Sequence, residues 1–125
     1  MHEKLLKLDI ELYRAYCISK RGVTENFPFD KKTLVFKVGG KMFSLFDIDN
    51  FKSINLKCDP EKAIQLREEF DGIKPGFHMN KKHWNTVNCD QSIQDKLILQ
   101  LTDDSYNLVL ESLPIKLHNE ILNSF

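Results

Sequence analysis

Several side chains that can bind a ligand lie close together in one short stretch, PGFHMNKKHWNTV, at residues 75–87. The stretch contains two of the four histidines, two adjacent lysines, the single tryptophan and two asparagines. No acidic residue occurs between Asp71 and Asp90. Lysines neutralise phosphate groups, amides bond to the polar edges of bases, and an aromatic ring can stack on a base. The composition of this stretch therefore indicates a contact with nucleic acid.

We assign the candidate contacts to a basic and aromatic hairpin segment around residues 74–85. The lysines would neutralise phosphates, the histidines and asparagines would form hydrogen bonds, and the tryptophan would stack on a base or support the surface. The candidate residues are Lys74, His78, Asn80, Lys81, Lys82, His83, Trp84 and Asn85. Three more lysines would enlarge the patch if they share its face: Lys37, Lys41 and Lys57.

The same segment also suits a purely architectural role. Trp84 begins a run typical of a strand, and a lone tryptophan usually packs in a protein interior. Lys81 and Lys82 would then be solvated charges in a hairpin loop, and Asn80 would suit a turn in the left-handed conformation. Packing is the preferred interpretation for Trp84, whereas both interpretations stay open for Lys81, Lys82 and His83.

The histidines of this segment do not have the spacing of a metal site. His78 and His83 are five residues apart, which matches neither the helical spacing of a zinc helix nor a zinc finger. The two could still meet across a hairpin, near Cys89 or Asp90. No further ligand is evident, so we expect neither a metal nor a cofactor.

The three cysteines, Cys17, Cys58 and Cys89, are widely separated and form no CxxC motif. Such spacing indicates free thiols in a reducing compartment. No nucleophile elbow, glycine-rich cradle or ordered third partner accompanies Cys58 or Cys89. The charged N-terminal stretch is followed by no uninterrupted apolar run. We therefore expect a cytoplasmic protein that is not an enzyme and does not contact a membrane.

The bulk composition is that of an ordinary folded domain. The chain has 125 residues, 42% of them hydrophobic and 29% charged. This length predicts a single domain over residues 1–125. Lysine plus arginine and aspartate plus glutamate both total 18, so the net charge is zero. Neutrality argues against a protein whose whole surface is basic, although it permits a local basic patch.

A hairpin is the clearest local element. In TLVFKVGGKMFSLF, two strand-like runs flank Gly39 and Gly40, a pair suited to a two-residue turn. The expected cross-strand pairs are Val38 with Lys41, Phe36 with Phe43 and Leu34 with Leu45, all on the core face. The opposite face would carry Val35, Lys37, Met42 and Ser44.

The remaining elements follow from apolar spacing and end signals. A helix is predicted over residues 3–19, and Phe27 and Phe29 are expected to pack. FKSINLKC reads as a third strand, and a helix follows with Asp59 as its N-cap. Further elements are strands at 73–78 and 84–89, a helix capped by Ser92 with Asp95, and a final helix at 115–122. The result is an α+β, two-layer domain of order α-β(3)-α-β(2)-α, whose antiparallel sheet has helices on one face and is partly open on the other.

Five motifs, RGVTENFPFD, TLVFKVGGKMFSLF, INLKCDPEKAIQLREEF, PGFHMNKKHWNTV and SYNLVLESLP, occur together in this order. In this respect the chain resembles the MmcQ/YjbR family from about Gly22 to Leu117. The resemblance implies a fold similar to that of the type III secretion chaperones. It also implies DNA binding through a double-wing motif. One departure is Ile115, where family members often have a second basic residue beside Lys116.

A protein partner is the alternative to DNA. The same type of fold can hold an extended protein segment, or a second copy of itself, on an open sheet face. Met42 and Phe46 would then be contacts, and the protein would act as a binding or chaperone-like module. The sequence does not determine the oligomeric state, for which a monomer is the preferred expectation.

Overall fold

Six strands and four helices lie in the part of the chain that the computed structural model describes, residues 7–124. The elements are α1 (Ile10–Ile18), β1 (Val23–Asn26), β2 (Thr33–Val38), β3 (Lys41–Asp47), β4 (Ser53–Lys57), α2 (Pro60–Glu69), β5 (Ile73–Pro75), β6 (Trp84–Asn88), α3 (Asp95–Glu111) and α4 (Ile115–Leu122). The strands form one sheet in the order β1-β2-β3-β4-β6-β5, and every neighbouring pair is antiparallel. Residues of all four helices share one core with one face of this sheet. The expected α+β fold is thereby confirmed.

The first strand, β1, was not expected, because the sequence predicts three strands before α2 and the structure has four. Its residues, VTEN, alternate between half-buried and exposed. Strand β1 lies at the edge of the sheet and pairs only with β2, from Val23 opposite Val38 to Asn26 opposite Val35. Such an edge strand buries little, so it lacks the apolar run by which a strand is recognised.

The two-residue turn between β2 and β3 is confirmed. Gly39 and Gly40 have φ angles of 60° and 81°, in the region that only glycine enters freely. Val38 pairs with Lys41 as expected. A Cβ on Gly39 would also lie 2.5 Å from Cδ1 of Leu113, so the close approach of the chain after α3 requires glycine here.

Further along the hairpin, the register differs from the expected one. A bulge lies between Phe36 and Lys37, where β3 carries one extra residue, Phe43. The observed pairs are Phe36 with Ser44, Val35 with Leu45 and Leu34 with Phe46, so the expected pairs Phe36–Phe43 and Leu34–Leu45 are wrong. Because of the bulge, Leu45 leaves the main core for the opposite face, and Ser44 faces the helices instead.

The main core centres on Tyr13 of α1, which is fully buried. Its ring makes an edge contact with Phe46 at 5.7 Å between centroids. Its hydroxyl hydrogen-bonds Ser44 Oγ at 2.7 Å and Thr102 Oγ1 at 2.9 Å. A buried hydroxyl is costly unless it has a partner, and these bonds join α1, β3 and α3.

The ends of the helices agree only partly with the expected ones. Of the helix predicted over residues 3–19, residues 3–6 lie outside the described part of the chain. The observed α1 begins at Ile10, because the Asp9 side chain accepts the N–H of Leu12 at 2.8 Å. Asp59 caps α2 as expected, and α4 spans residues 115–122 as expected.

The predicted cap of α3 is wrong. Ser92 Oγ donates to Asp90 at 2.6 Å, and Gln94 occupies the N-cap without a side-chain bond. Asp95 accepts the backbone N–H of Leu8 at 2.9 Å instead. The contact with a distant segment therefore replaces the local capping box.

The sheet surface opposite the helices, here called the open face, carries a second and smaller apolar cluster. Val35, Leu45 and Trp84 form it, and Met42 and Met79 pack against it. Strands β2, β3 and β6 thus share apolar contacts on this side as well. Within residues 7–124, none of the helices has both the length and the apolar character needed to cross a bilayer.

Candidate nucleic-acid interface

Two of the predicted contact residues do not face solvent. Trp84 is 7% exposed and belongs to the open-face cluster, which agrees with the packing interpretation. Asn85 is 2% exposed and points to the helix side. Its Oδ1 accepts Arg67 Nε at 2.7 Å, and its Nδ2 donates to the Ala63 carbonyl at 3.3 Å. The prediction that Asn85 and Trp84 contact a ligand is therefore corrected, because both are committed to packing and internal hydrogen bonds.

The turn at residues 80–83 is held by its own polar groups. Asn80 Oδ1 accepts the N–H of Lys82 at 2.9 Å, so this asparagine stabilises the turn. The Lys81 ammonium donates to the Gly76 carbonyl at 3.1 Å. Lys82 remains exposed, and His83 is half-buried. Of these four residues, Lys82 is the one whose cation is most available to a phosphate.

Arg67 of α2, which the sequence analysis did not single out, clamps this turn. In addition to Asn85, its guanidinium donates to the backbone carbonyls of Lys81 and Trp84. Arg67 lies 14 residues before Lys81, in a helix whose local pattern shows only an ordinary charged position. No sequence signal marks the contact, because it depends on α2 packing beside β6.

Phe77 and His78 form an exposed aromatic pair at the start of the loop between β5 and β6. Their ring centroids are 4.0 Å apart, and Phe77 is 66% exposed. His78 has a φ of 61°, a left-handed conformation that is uncommon outside glycine. Such strain persists only where neighbouring contacts fix the backbone.

Two side chains of the open face fix the Phe77 backbone. Thr86 Oγ1 accepts the Phe77 N–H at 2.8 Å and donates to Asn55 Oδ1. Asn55 Nδ2 in turn donates to the Phe77 carbonyl at 3.3 Å. Both polar groups of the Phe77 peptide backbone are therefore bonded to the sheet, while its ring stays largely exposed.

A second exposed aromatic residue, Phe29, lies in the loop between β1 and β2. It is 64% exposed and Phe27 is 45% exposed, so the expectation that both pack is wrong. The next residue, Asp30, accepts the N–H of Lys32 at 2.9 Å and that of Thr33 at 2.6 Å. These bonds lower the pKa of the Asp30 carboxyl, and the bond from the Thr33 N–H has the largest effect. The D-x-x-T pattern is a local turn signal that could have been read from the sequence.

The two aromatic loops enclose a cavity of about 620 Å³ on the open face. Phe29 and Phe77, with His78 and Met79, form walls that come from opposite ends of the sheet. Strands β2, β3 and β4 provide the floor. Among the predicted contact residues, His78 is the one that lines this cavity.

Three lysines lie on the open face outside the lining of this cavity. The strand register places Lys37 beside Met42, Lys57 beside Trp84 and Lys74 beside Thr86. Lys41 pairs with Val38 in the register of the helix-covered face, so it does not extend the patch. Of the charged strand residues that the structure describes, Asp47 is the single acid in the open-face register.

The lysines of the open face have no carboxylate partner among residues 7–124. The ion pairs within this range are Arg14–Glu25, Lys20–Asp103, Lys32–Asp49 and Lys62–Asp104. None of them includes Lys37, Lys57, Lys74, Lys81 or Lys82. Apart from Lys81, whose ammonium bonds the Gly76 carbonyl, these cations are therefore available to an anionic partner.

The thiols are not activated. Burial raises the pKa of Cys17 and of Cys89 to about 12, and it also raises the pKa of Cys58. A raised pKa keeps a thiol protonated at neutral pH, where it is a poor nucleophile and a poor metal ligand. Among residues 7–124, no three histidine, cysteine or acidic side chains converge on a common point.

Comparison with known sequences identifies one matching family model and several similar proteins. The family model described as YjbR matches residues 18–108. The uncharacterized protein YbdF of Escherichia coli is 38% identical over 115 residues, which are 90% of this chain and 87% of YbdF. The uncharacterized protein YjbR of Escherichia coli is 35% identical over 100 residues, which are 79% of this chain and 85% of YjbR.

Two solved structures are similar to this fold. The protein DR2400 of Deinococcus radiodurans, with the family-model domain DUF419, matches with a TM-score of 0.86 and 36% identity over 92% of this chain and 88% of its own. A protein of Pseudomonas syringae matches with a TM-score of 0.69 and 28% identity, over 82% of this chain and 99% of its own. Both share the fold over most of their length.

Proposed function

The chain belongs to the YjbR family, and we propose that it is a non-catalytic protein that binds single-stranded DNA on the open face of its sheet. The observation that carries the proposal is the coincidence of unpaired lysines and exposed aromatic rings on that one face. Lysines that lack a carboxylate partner can bind phosphates, and exposed aromatic rings can stack on unpaired bases. The DNA binding that the resemblance to the MmcQ/YjbR family implies points in the same direction.

Charge is distributed unevenly over this neutral molecule. Lys37, Lys57 and Lys74 project from the open face, whereas much of the acidic charge lies on the helices, in Glu61, Glu68, Glu69, Asp103 and Asp104. A partner that approaches the open face outside the cavity therefore meets these lysines, whereas Asp30 and Asp47 line the cavity itself. Because the net charge is zero, the attraction is local and will weaken steeply as salt rises.

The exposed rings favour a single strand over a duplex. In a duplex the faces of the bases are already stacked on one another, so protein rings cannot reach them without unstacking. In a single strand the faces are available to Phe29 and Phe77.

The absence of catalysis is part of the proposal, and the three protonated thiols support it. We also propose that the protein works in the cytoplasm. All three cysteines are free, as expected for a chain in a reducing compartment.

A protein partner is the second candidate, and the exposure of Phe29 and Phe77 favours it. Of the contacts expected for such a partner, Phe46 is 4% exposed and lies in the main core, so it cannot take part. Met42 is half-buried against the open-face cluster. An apolar protein segment would bind through the rings with little dependence on salt, which separates the two candidates.

The proposal is tested by fluorescence anisotropy of a short labelled oligo-dT strand at low and moderate salt. The test variant replaces Lys37, Lys57 and Lys74 by alanine, and the control replaces Lys62, Lys96 and Lys116 on the helices. Both variants change the net charge equally. We expect saturable binding by the wild type and by the control. The open-face variant should lose affinity, and its salt slope should fall by about 2, at about 0.7 for each lost phosphate contact.

The predicted turn is tested separately by a variant with Lys81→Ala and Lys82→Ala. A loss of affinity in this variant would extend the surface to the turn at residues 80–83. If the folded wild type binds no strand even at low salt, the DNA proposal is wrong. Equal losses in the open-face variant and in the helix control would also contradict it.

A further inference from the structure

We propose that the cavity between Phe29 and Phe77 is a binding site for one base of the DNA strand, which stacks against the two rings. This inference rests on the proposed function, and it adds a specific site at which one base of the strand is bound. Nothing in the family resemblance assigns a ligand to this cavity.

The position of the walls suits a flat ligand. Phe29 comes from the loop before β2, and Phe77 comes from the loop before β6, so the rings approach from opposite ends of the sheet. Leu45 and Asn55 of the two central strands lie in the floor between them. A planar ring that enters the cavity would therefore find aromatic side chains supplied by loops from both edges of the sheet.

The size and the lining agree with a nucleobase. A volume of about 620 Å³ is in the range of small-ligand sites and accommodates a base with its sugar. Apolar walls alternate with short polar side chains such as Thr33, Ser53 and Asn50. A base likewise has apolar faces and polar edges. Its faces would contact the apolar walls of the cavity, and its edges would contact the short polar side chains.

The charges direct the base, and not the phosphate, into the cavity. Asp30 and Asp47 line it together with one lysine, Lys52. The lysines of the open face, such as Lys57 and Lys74, are absent from its lining. A phosphate would be repelled by the two carboxylates and attracted by the lysines outside. A neutral base carries no such penalty, so the strand can lie along the lysines with one base turned inward.

The backbone beside each ring is held in place although neither ring is buried. The Phe77 backbone is fixed by Thr86 and Asn55, and the Phe29 loop is fixed by the hydrogen bonds of Asp30. Packing does not explain this order, because each ring is about two-thirds exposed. Loops that are already ordered lose little backbone freedom when a ligand arrives, and such preorganisation increases affinity.

The test compares two labelled strands of equal length, oligo-dT and an abasic strand with the same phosphates. The variants are Phe29→Ala and Phe77→Ala, with Phe27→Ala as the matched control. Phe27 is an exposed phenylalanine of the same loop that does not line the cavity. For oligo-dT we expect about a tenfold loss of affinity in each cavity variant and no loss in the control. For the abasic strand, all four proteins should bind equally and weakly.

The possible failures are distinguishable. If the wild type binds both strands equally and the cavity variants match it, the base site is wrong while DNA binding stands. An equal loss for both strands in a cavity variant would show that the ring supports the surface without receiving a base, and this also overturns the inference. If the folded wild type binds neither strand, the proposed function fails, and the base site fails with it. Circular dichroism of each variant confirms that it is folded.

Discussion

At the scale of single residues, buried polar groups position the interface without touching a ligand. Asn85 shows this most clearly, because its amide looks like a base contact in the sequence but is 2% exposed. Its partner Arg67 also bonds the carbonyls of Lys81 and Trp84. The guanidinium thus connects α2 to the start of β6 and to the lysine-bearing turn.

Arg67→Ala should lower the free energy of unfolding by about 1–3 kcal/mol, because it leaves Asn85 Oδ1 buried without its donor. Urea unfolding measures the change. The control is Lys62→Ala on the same helix, whose exposed ion pair with Asp104 contributes less than about 1 kcal/mol. Equal effects of the two substitutions would show that Arg67 is an ordinary surface charge.

Residue types predicted part of the candidate site, but they did not determine which of its side chains are buried. Packing of Trp84 is the preferred interpretation from its strand-like surroundings, and the structure agrees. The inward direction of Asn85 depends on the face that α2 covers, which is a tertiary property. Exposure of Phe29 was also unpredictable, because phenylalanine is among the residue types that are most often buried.

At the scale of secondary structure elements, several local turn and cap signals were informative, although the capping box expected at Ser92 does not form. The Gly39–Gly40 turn, the Asp59 cap and α4 follow from a few adjacent residues, and all three are confirmed. The bulge at Phe43 was not predictable, since a continuous apolar run fits either register. This one residue moves Leu45 to the open face and so creates part of the cavity floor.

Thr86→Val should weaken binding of oligo-dT about two- to tenfold while leaving the fold intact, because it removes the hydroxyl that holds the Phe77 N–H. Hydrogen exchange at the Phe77 amide should become faster in the same variant. The matched control is Thr24→Val, on the edge strand of the same face. If the Phe77 amide exchanges no faster, Thr86 does not position this loop.

At the scale of the whole molecule, the two faces of the sheet have separate tasks. One face, with Tyr13 and Cys17 of α1, forms a core in which burial raises the pKa of the Tyr13 hydroxyl and of the Cys17 thiol. The other combines a small apolar cluster with lysines and exposed rings. The net charge of zero therefore describes neither surface of this protein, because acidic residues are frequent on the helices and lysines lie on the open face.

The core predicts a loss of stability in alkali. Burial raises the pKa of the Cys17 thiol from its ordinary value of 9.0 to about 12. The protonated thiol is favoured in the folded state, so its contribution is complete below pH 9 and is lost as pH rises towards 12. Over that window this thiol should lower the free energy of unfolding by about 1.4 kcal/mol per pH unit.

Urea unfolding at several pH values between about 8 and 11 measures this slope. Cys17→Ala should unfold more easily at every pH, because it leaves a small cavity, but its stability should fall less steeply with pH. If wild type and variant lose stability in parallel, the Cys17 thiol is not the group that titrates.

Binding on the open face is tested most directly by following the backbone amides of the ¹⁵N-labelled protein by NMR as oligo-dT is added at low salt. The predicted result is a set of shifts confined to the open face, strongest at Phe29, Phe77, Lys57 and Lys74. The amides of α3 and α4, behind the sheet, should stay unchanged. Shifts centred on those helices, or none at saturating strand, would contradict a DNA-binding surface on the open face.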